Sequence, residues 1–151
     1  MRLRAVSVAL VAAVAVAGCG GANPERTDYV KALNRAQSGL AQRFGALQAR
    51  ITPTSTPAQD ARTLRAYEAA VQATVSDLRT VHPPAGFGAL HRRFVGEVAD
   101  YGRAVRNARA DLRSDDPKTV LAAQGSLRAA IARTESGLNA TIQAINSKLK
   151  D

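Results

Sequence analysis

The sequence predicts an all-α fold, an antiparallel up-down-up-down four-helix bundle behind an export signal, and three observations lead to it. Apolar residues recur at three- and four-residue spacing along four separate stretches, with no alternating strand-like runs. Three clusters rich in Pro, Asp and Thr punctuate those stretches: T-P-T-S-T-P from Thr52, H-P-P-A-G from His82 and S-D-D-P from Ser114. Connections this short favour antiparallel neighbours. The aromatic fraction is 4%, with no Trp, so the core must be made of Ala, Leu, Val and Ile with a few rings, which suits closely packed helices. A chain of 151 residues with 46% hydrophobic and 22% charged residues fits one globular domain.

The first element lies outside the bundle. Arg2 and Arg4 precede an unbroken small-apolar run over residues 5–17. That run falls short of the roughly 20 residues a spanning helix needs, so it reads as an export signal. It ends at Gly18 and Cys19, the only cysteine of the chain, which rules out an intramolecular disulfide or a multi-cysteine metal site. Val16-Ala17-Gly18-Cys19 resembles the lipobox of bacterial lipoproteins: an aliphatic residue, a small residue, Gly or Ala, then Cys. The resemblance implies that the Cys19 thiol receives a diacylglyceryl group and that residues 1–18 are removed. The mature chain then starts at Cys19, lipid-anchored to the extracytoplasmic face of the cell membrane. The chemistry is consistent, since a thiolate is the nucleophile that thioether formation needs and two acyl chains anchor durably where one is marginal. Residues 19–23 form the tether. From Gly20 to Asn23 it reaches about 14 Å at most, which keeps the start of the first helix near the bilayer.

Residues 24–151 form the bundle domain. The first helix is predicted over 24–51, with Val30, Leu33, Leu40, Phe44, Leu47 and Ile51 on one stripe and Gln37 as the polar exception. The second is predicted over 57–81, with Leu64, Tyr67, Val71, Val75, Leu78 and Val81 on one face. Thr56-Pro57-Ala58-Gln59 gives it a capping-box start with Pro in the first turn. The third, over 87–113, carries the cleanest stripe: Phe87, Leu90, Phe94, Val98, Tyr101, Val105, Ala108 and Leu112. The fourth, over 117–149, uses Val120, Leu127, Ile131, Leu138, Ile142, Ile145 and Leu149 after an Asp116 cap. Six glycines fall inside these helices, Gly39, Gly45, Gly96, Gly102, Gly125 and Gly137, each costing about 1 kcal/mol against Ala unless close helix contact compensates.

Loss of Arg2 and Arg4 lowers the formal charge from +9 to +7, so the mature chain stays basic. Export makes anionic lipid headgroups, wall polymers or an envelope protein the available partners, rather than nucleic acid. Alternating topology gathers Arg26, Arg79, Arg92, Arg93, Lys148 and Lys150 at the membrane-proximal end, near Phe87. The outer stripe of the third helix, Arg92, Arg103, Arg106, Arg109 and Arg113, is a second basic feature, of a kind that is usually a solvated face.

Catalytic and cofactor signals are absent from the pattern. Di-iron bundles need Glu-x-x-His facing inward, but Glu68, Glu97 and Glu135 are followed at that spacing by Val71, Asp100 and Leu138. The two histidines, His82 and His91, fall short of an ordinary metal site and read as structural or surface residues. No G-x-S-x-G, phosphate loop or nucleophile-base pair occurs. The expectation is therefore a non-enzymatic, lipid-anchored interaction or structural module at the cell envelope, with no cofactor. The alternative is a carrier or sensor holding a small apolar or anionic ligand between helices. The stretch L-R-T-V-H-P-P-A-G-F-G-A-L-H-R-R-F-V-G-E-V from Leu78 resembles a segment of uncharacterised, mostly actinobacterial helical lipoproteins, a likeness that implies no activity.

Overall fold

The computed structural model describes residues 23–50, 54, 56–112, 114 and 116–150. The expected signal segment 1–18, the expected lipidation residue Cys19, the expected tether as far as Ala22 and the predicted stripe residue Ile51 lie outside the described residues. The described chain forms four helices: α1 (Pro24–Gln48), α2 (Pro57–Thr80), α3 (Gly88–Asp111) and α4 (Pro117–Lys150). None of them is long and apolar enough to cross a membrane.

Local chemistry sets the helix starts. The Asn23 side chain accepts the Glu25 N–H at 2.9 Å, and Pro24 and Glu25 follow in a first turn where a missing N–H costs nothing and an acid suits the helix dipole. Thr56 and Gln59 make the expected reciprocal box, with Gln59 N–H donating to Thr56 Oγ1 at 3.3 Å and Thr56 N–H donating to Gln59 Oε1 at 2.7 Å. Asp116 accepts from the Thr119 hydroxyl and from the N–H groups of Lys118 and Thr119, and these bonds, led by the hydroxyl's, hold its carboxyl below the usual range. α3 differs. It starts after Phe87, whose side chain is buried in the core and cannot cap, so its first turn has no side-chain acceptor. The helix also ends at Asp111, two residues before the predicted limit, while α1 ends at Gln48, three residues before its own.

Packing runs in chain order. α3 packs most extensively on α4 and then on α2, and α1 packs on α2. Rings add a link between α1 and α3: Tyr29 on His91 with centroids 5.7 Å apart, and Phe44 on Tyr101 at 5.4 Å, while Tyr29 also meets Phe87, just before α3, at 5.8 Å. Phe44 also meets Tyr67 edge-on at 4.9 Å, and the Tyr67 hydroxyl donates to the Phe44 carbonyl at 3.2 Å. Burial raises the pKa of Tyr67 and, more strongly, that of Tyr101.

The core follows the predicted stripes. Val30, Leu33, Leu40, Phe44, Val71, Val75, Leu78, Phe94, Val98, Val105, Ile131, Leu138, Ile142 and Ile145 are all buried. Leu64, Tyr67, Val81, Leu90, Leu127 and Leu149 are only partly buried against it, at the margins of their stripes. Tyr29, His91, Thr63, Thr74 and Thr141 are buried without having been in any stripe. Thr63 and Thr74 satisfy their hydroxyls locally, donating to the carbonyls of Gln59 and Ala70 one turn back. The helical glycines divide into two groups. A Cβ at Gly102 would lie 3.0 Å from Val71 Cγ1 and one at Gly137 would lie 3.0 Å from Glu97 Oε1, so these two permit close helix approach. Gly39, Gly45, Gly96 and Gly125 have nothing within 4 Å.

Candidate functional site at the basic end of the helices

The turn between α2 and α3 organises one end of the molecule. Pro83 and Pro84 cannot continue α2, and Val81 already has extended backbone. Gly86 then takes a φ of 82°, a conformation that costs a side-chain-bearing residue energy, and Phe87 N–H closes the turn on the Pro84 carbonyl at 3.0 Å. The turn drives the Phe87 ring inward until it is fully buried.

Tyr29 and His91 lock three helices around that ring. His91 Nε2 lies 3.0 Å from the carbonyl oxygen of Leu78, and Nδ1 lies 3.4 Å from the Tyr29 hydroxyl. A carbonyl can only accept, so Nε2 carries the proton, and the Tyr29 hydroxyl donates to Nδ1 of a neutral ring. Burial keeps the His91 pKa below the ordinary imidazole value, outweighing the opposing effect of the Leu78 carbonyl, and it pushes the Tyr29 hydroxyl up to about 12. Both ring nitrogens of His91 are engaged, whereas His82 is exposed. No group of three or more His, Cys, Asp or Glu suited to a metal ion occurs among the described residues.

Cations cover the outside of this joint. Arg26, at the start of α1, places its guanidinium 5.8 Å from the Phe87 ring centroid, and its Nη1 donates to the Leu149 carbonyl at 3.4 Å. Lys148, near the end of α4, holds its ammonium 5.7 Å from the same centroid. A Cβ at Gly86 would come within 3.3 Å of Lys148 Cε, so the glycine also leaves room for the lysine stem. The start of α1, the end of α2, the start of α3 and the end of α4 therefore meet here.

The six cations expected at this end have different fates. Arg26 and Lys148 are half-buried and converge on Phe87, while Arg79, Arg92, Arg93 and Lys150 are exposed. Arg93 is turned inward to Glu97, its Nε 3.0 Å from Oε1. Glu97 Oε1 also accepts from the buried Thr141 hydroxyl at 3.0 Å, while its Oε2 is buried with no protein partner. The basic stripe of α3 is substantially neutralised within the fold: Arg106 and Arg109 both reach Glu68 on α2, at 2.6 and 3.5 Å, and Arg103 pairs with Asp100. Arg113 of that stripe lies outside the described residues.

Comparison with protein families, curated proteins and solved structures found no match. Function must therefore be reasoned from the site. Besides the Phe87 joint, an open groove of about 600 Å³ runs between α3 and α4, with Glu97, Asp100, Asn107, Asp111, Arg133 and Thr134 among its lining. A second, of about 450 Å³, lies between α1 and the Pro-Pro turn, lined in part by Glu25, Asp28, Tyr29 and His82. Both are surface grooves with charged walls. The Phe87 joint differs in presenting two half-buried cations with no carboxylate partner among the described residues, an arrangement suited to attracting and positioning an anion.

Sequence reasoning placed Phe87 and the six cations at one end but missed Tyr29, one residue before the α1 stripe. The usable signal was its spacing: Tyr29 stands one helical turn before Leu33, so it extends the same face.

Proposed function

We propose that the protein is a lipid-anchored extracytoplasmic lipoprotein, an up-down-up-down four-helix bundle serving as an interaction or structural module at the cell envelope. In this reading the diacylglyceryl group on Cys19 holds it to the membrane and the Phe87 end faces the bilayer. The observation that carries the reading is the position of that end. Asn23 caps α1 there, four residues beyond Cys19, and Arg26 and Lys148 sit beside it with Arg79, Arg92 and Lys150 exposed at the same helix termini. Cations near a negatively charged bilayer contribute about 1 kcal/mol each, a useful supplement to acyl anchoring. The helix order is supported by the contacts of Arg26 with Leu149 and of His91 with Leu78, which join alternate helix ends.

Mass spectrometry of the protein purified from its own membrane tests the anchor. The expected species begins at Cys19 and carries the mass of a diacylglyceryl group, and Cys19→Ser abolishes both the modification and the partitioning into detergent. A Cys19→Ser protein that partitions as fully as the parent overturns the reading. The cationic face is tested on the Cys19→Ser chain with vesicles of phosphatidylglycerol against vesicles of phosphatidylcholine. Neutralising Arg26, Arg79, Arg92, Arg93, Lys148 and Lys150 together should remove the preference for the anionic lipid.

A further inference from the structure

We propose that Arg26 and Lys148, set over the ring of Phe87, form a discrete binding site for one phosphate group. The two side chains come from opposite ends of the chain, yet Arg26 bonds the carbonyl of Leu149, the residue next to Lys148. Both charges thus gather on one ring, 5.8 and 5.7 Å from its centroid, and no carboxylate among the described residues pairs with either. Elsewhere in the described chain Arg93, Arg103, Arg106 and Arg109 each have an acid. Two cations gathered on one ring without an acid are best completed by a phosphate group that accepts from both.

The pair is also preorganised. Arg26 uses one of its five N–H donors on Leu149 and lies 5.8 Å from the ring centroid, which leaves other donors for an oxyanion. Lys148 is seated between the ring and Gly86, where the missing Cβ leaves room for the lysine stem. The first turn of α3, which no side chain caps, opens at the same turn and adds partial positive charge. Binding here therefore freezes little that the fold has not already ordered. A phosphodiester of a lipid headgroup and free inorganic phosphate share the chemistry that this pair recognises. The lipid source alone rests on the membrane-facing reading above.

The test is an NMR titration of the full chain carrying Cys19→Ser in maltoside micelles, read at the Gly86 and Phe87 amides and the Arg26 Nε–H. Inorganic phosphate, dihexanoyl-phosphatidylglycerol and acetate are the three probes. Saturable shifts with phosphate and lipid, but not acetate, are expected, and affinity should fall roughly tenfold in Arg26→Gln and in Lys148→Gln, the loss of one charge-assisted bond, but not in Arg79→Gln. Lys148→Gln removes no hydrogen bond among the described residues, so it reports on binding even if Arg26→Gln perturbs the end of α4. Saturation by the lipid alone supports the site and assigns it to headgroups. No saturation by either phosphate compound, equal saturation by acetate, or indifference to both substitutions overturns it. Vesicles separate this from the broader reading. If the sixfold neutralised chain loses its preference for anionic vesicles but the titration is indifferent to Arg26 and Lys148, the site is wrong and the membrane-facing reading stands. If vesicle binding ignores all six cations while the phosphate titration stays specific, the site stands for free phosphate and the membrane-facing reading falls.

Discussion

Gly137 and Glu97 share one volume across the α3–α4 interface: a Cβ at position 137 would lie 3.0 Å from Glu97 Oε1 and 3.2 Å from its Cδ. The carboxylate cannot easily yield, because Arg93 and Thr141 hold the same oxygen and the side chain is only 16% exposed. At Gly125 the added methyl meets nothing within 4 Å. Gly125→Ala should therefore raise stability by about 0.5–1 kcal/mol through helix propensity, and Gly137→Ala should gain none of it. Chemical denaturation of the two variants checks this. In a Glu97→Ala background, Gly137→Ala should recover the full gain, a coupling that a double-mutant cycle reads directly.

Gly102 faces a stiffer neighbour. The nearest atom to its missing Cβ is Cγ1 of Val71, at 3.0 Å, and Val71 is a buried, β-branched residue in the centre of α2. It has no low-energy rotamer to move into. Gly102→Ala should destabilise by about 1–3 kcal/mol despite its better helix propensity, and Val71→Ala in the same chain should offset part of that loss. Thermal melting of the single and double variants measures both effects.

The His91 joint makes stability depend on pH with a definite sign. Its folded-state pKa lies below the ordinary value because burial disfavours the imidazolium. Tyr29 presents a neutral hydroxyl to the ring, and the Leu78 carbonyl opposes the shift without cancelling it. The unfolded chain thus binds the proton more readily. The contribution is fully present above the unfolded-state value of about 6.5, and it is lost progressively as the pH falls from there towards the folded-state pKa. Denaturant midpoints should decline through that window in the parent chain and remain flatter in His91→Gln.

Glu68 acts as a lock on the basic face of α3. Its carboxylate engages Arg106 and Arg109 together, although Arg106 is itself largely exposed. Glu68→Gln should release both guanidinium groups to solvent. Retention on a cation exchanger should then increase by more than a control Asp77→Asn produces, since Asp77 is exposed and in no ion pair among the described residues. The stability change should stay near about 1 kcal/mol, since the shorter of the two pairs has its Arg106 partner open to screening.

How much of this was legible in the sequence depends on which interactions are periodic. The Phe94, Val98, Tyr101 and Val105 stripe announces a buried helix face because burial repeats with the helix, and the Thr56–Gln59 box and the Asp116 cap are written in adjacent residues. Tyr29–His91 and Glu97–Thr141 join residues on different helices, so no local spacing reports them. The Arg stripe of α3 read as free charge for the same reason: Glu68, its counter-ion, lies a helix away. Phe87 and its two cations were placed at one end by topology, but their convergence on a single ring depends on the turn at Gly86.

The contact between Arg26 and the Leu149 carbonyl puts the first and last turns of the helical domain side by side. A pull applied between the start of α1 and the end of α4 would thus meet the helices across their axes, opening them as a zipper opens, one contact after another. Shear, which strains many contacts in parallel, would require handles at opposite ends. Drag on the end of α4 against a fixed start of α1 would act first on this one hydrogen bond and on the cations at Phe87.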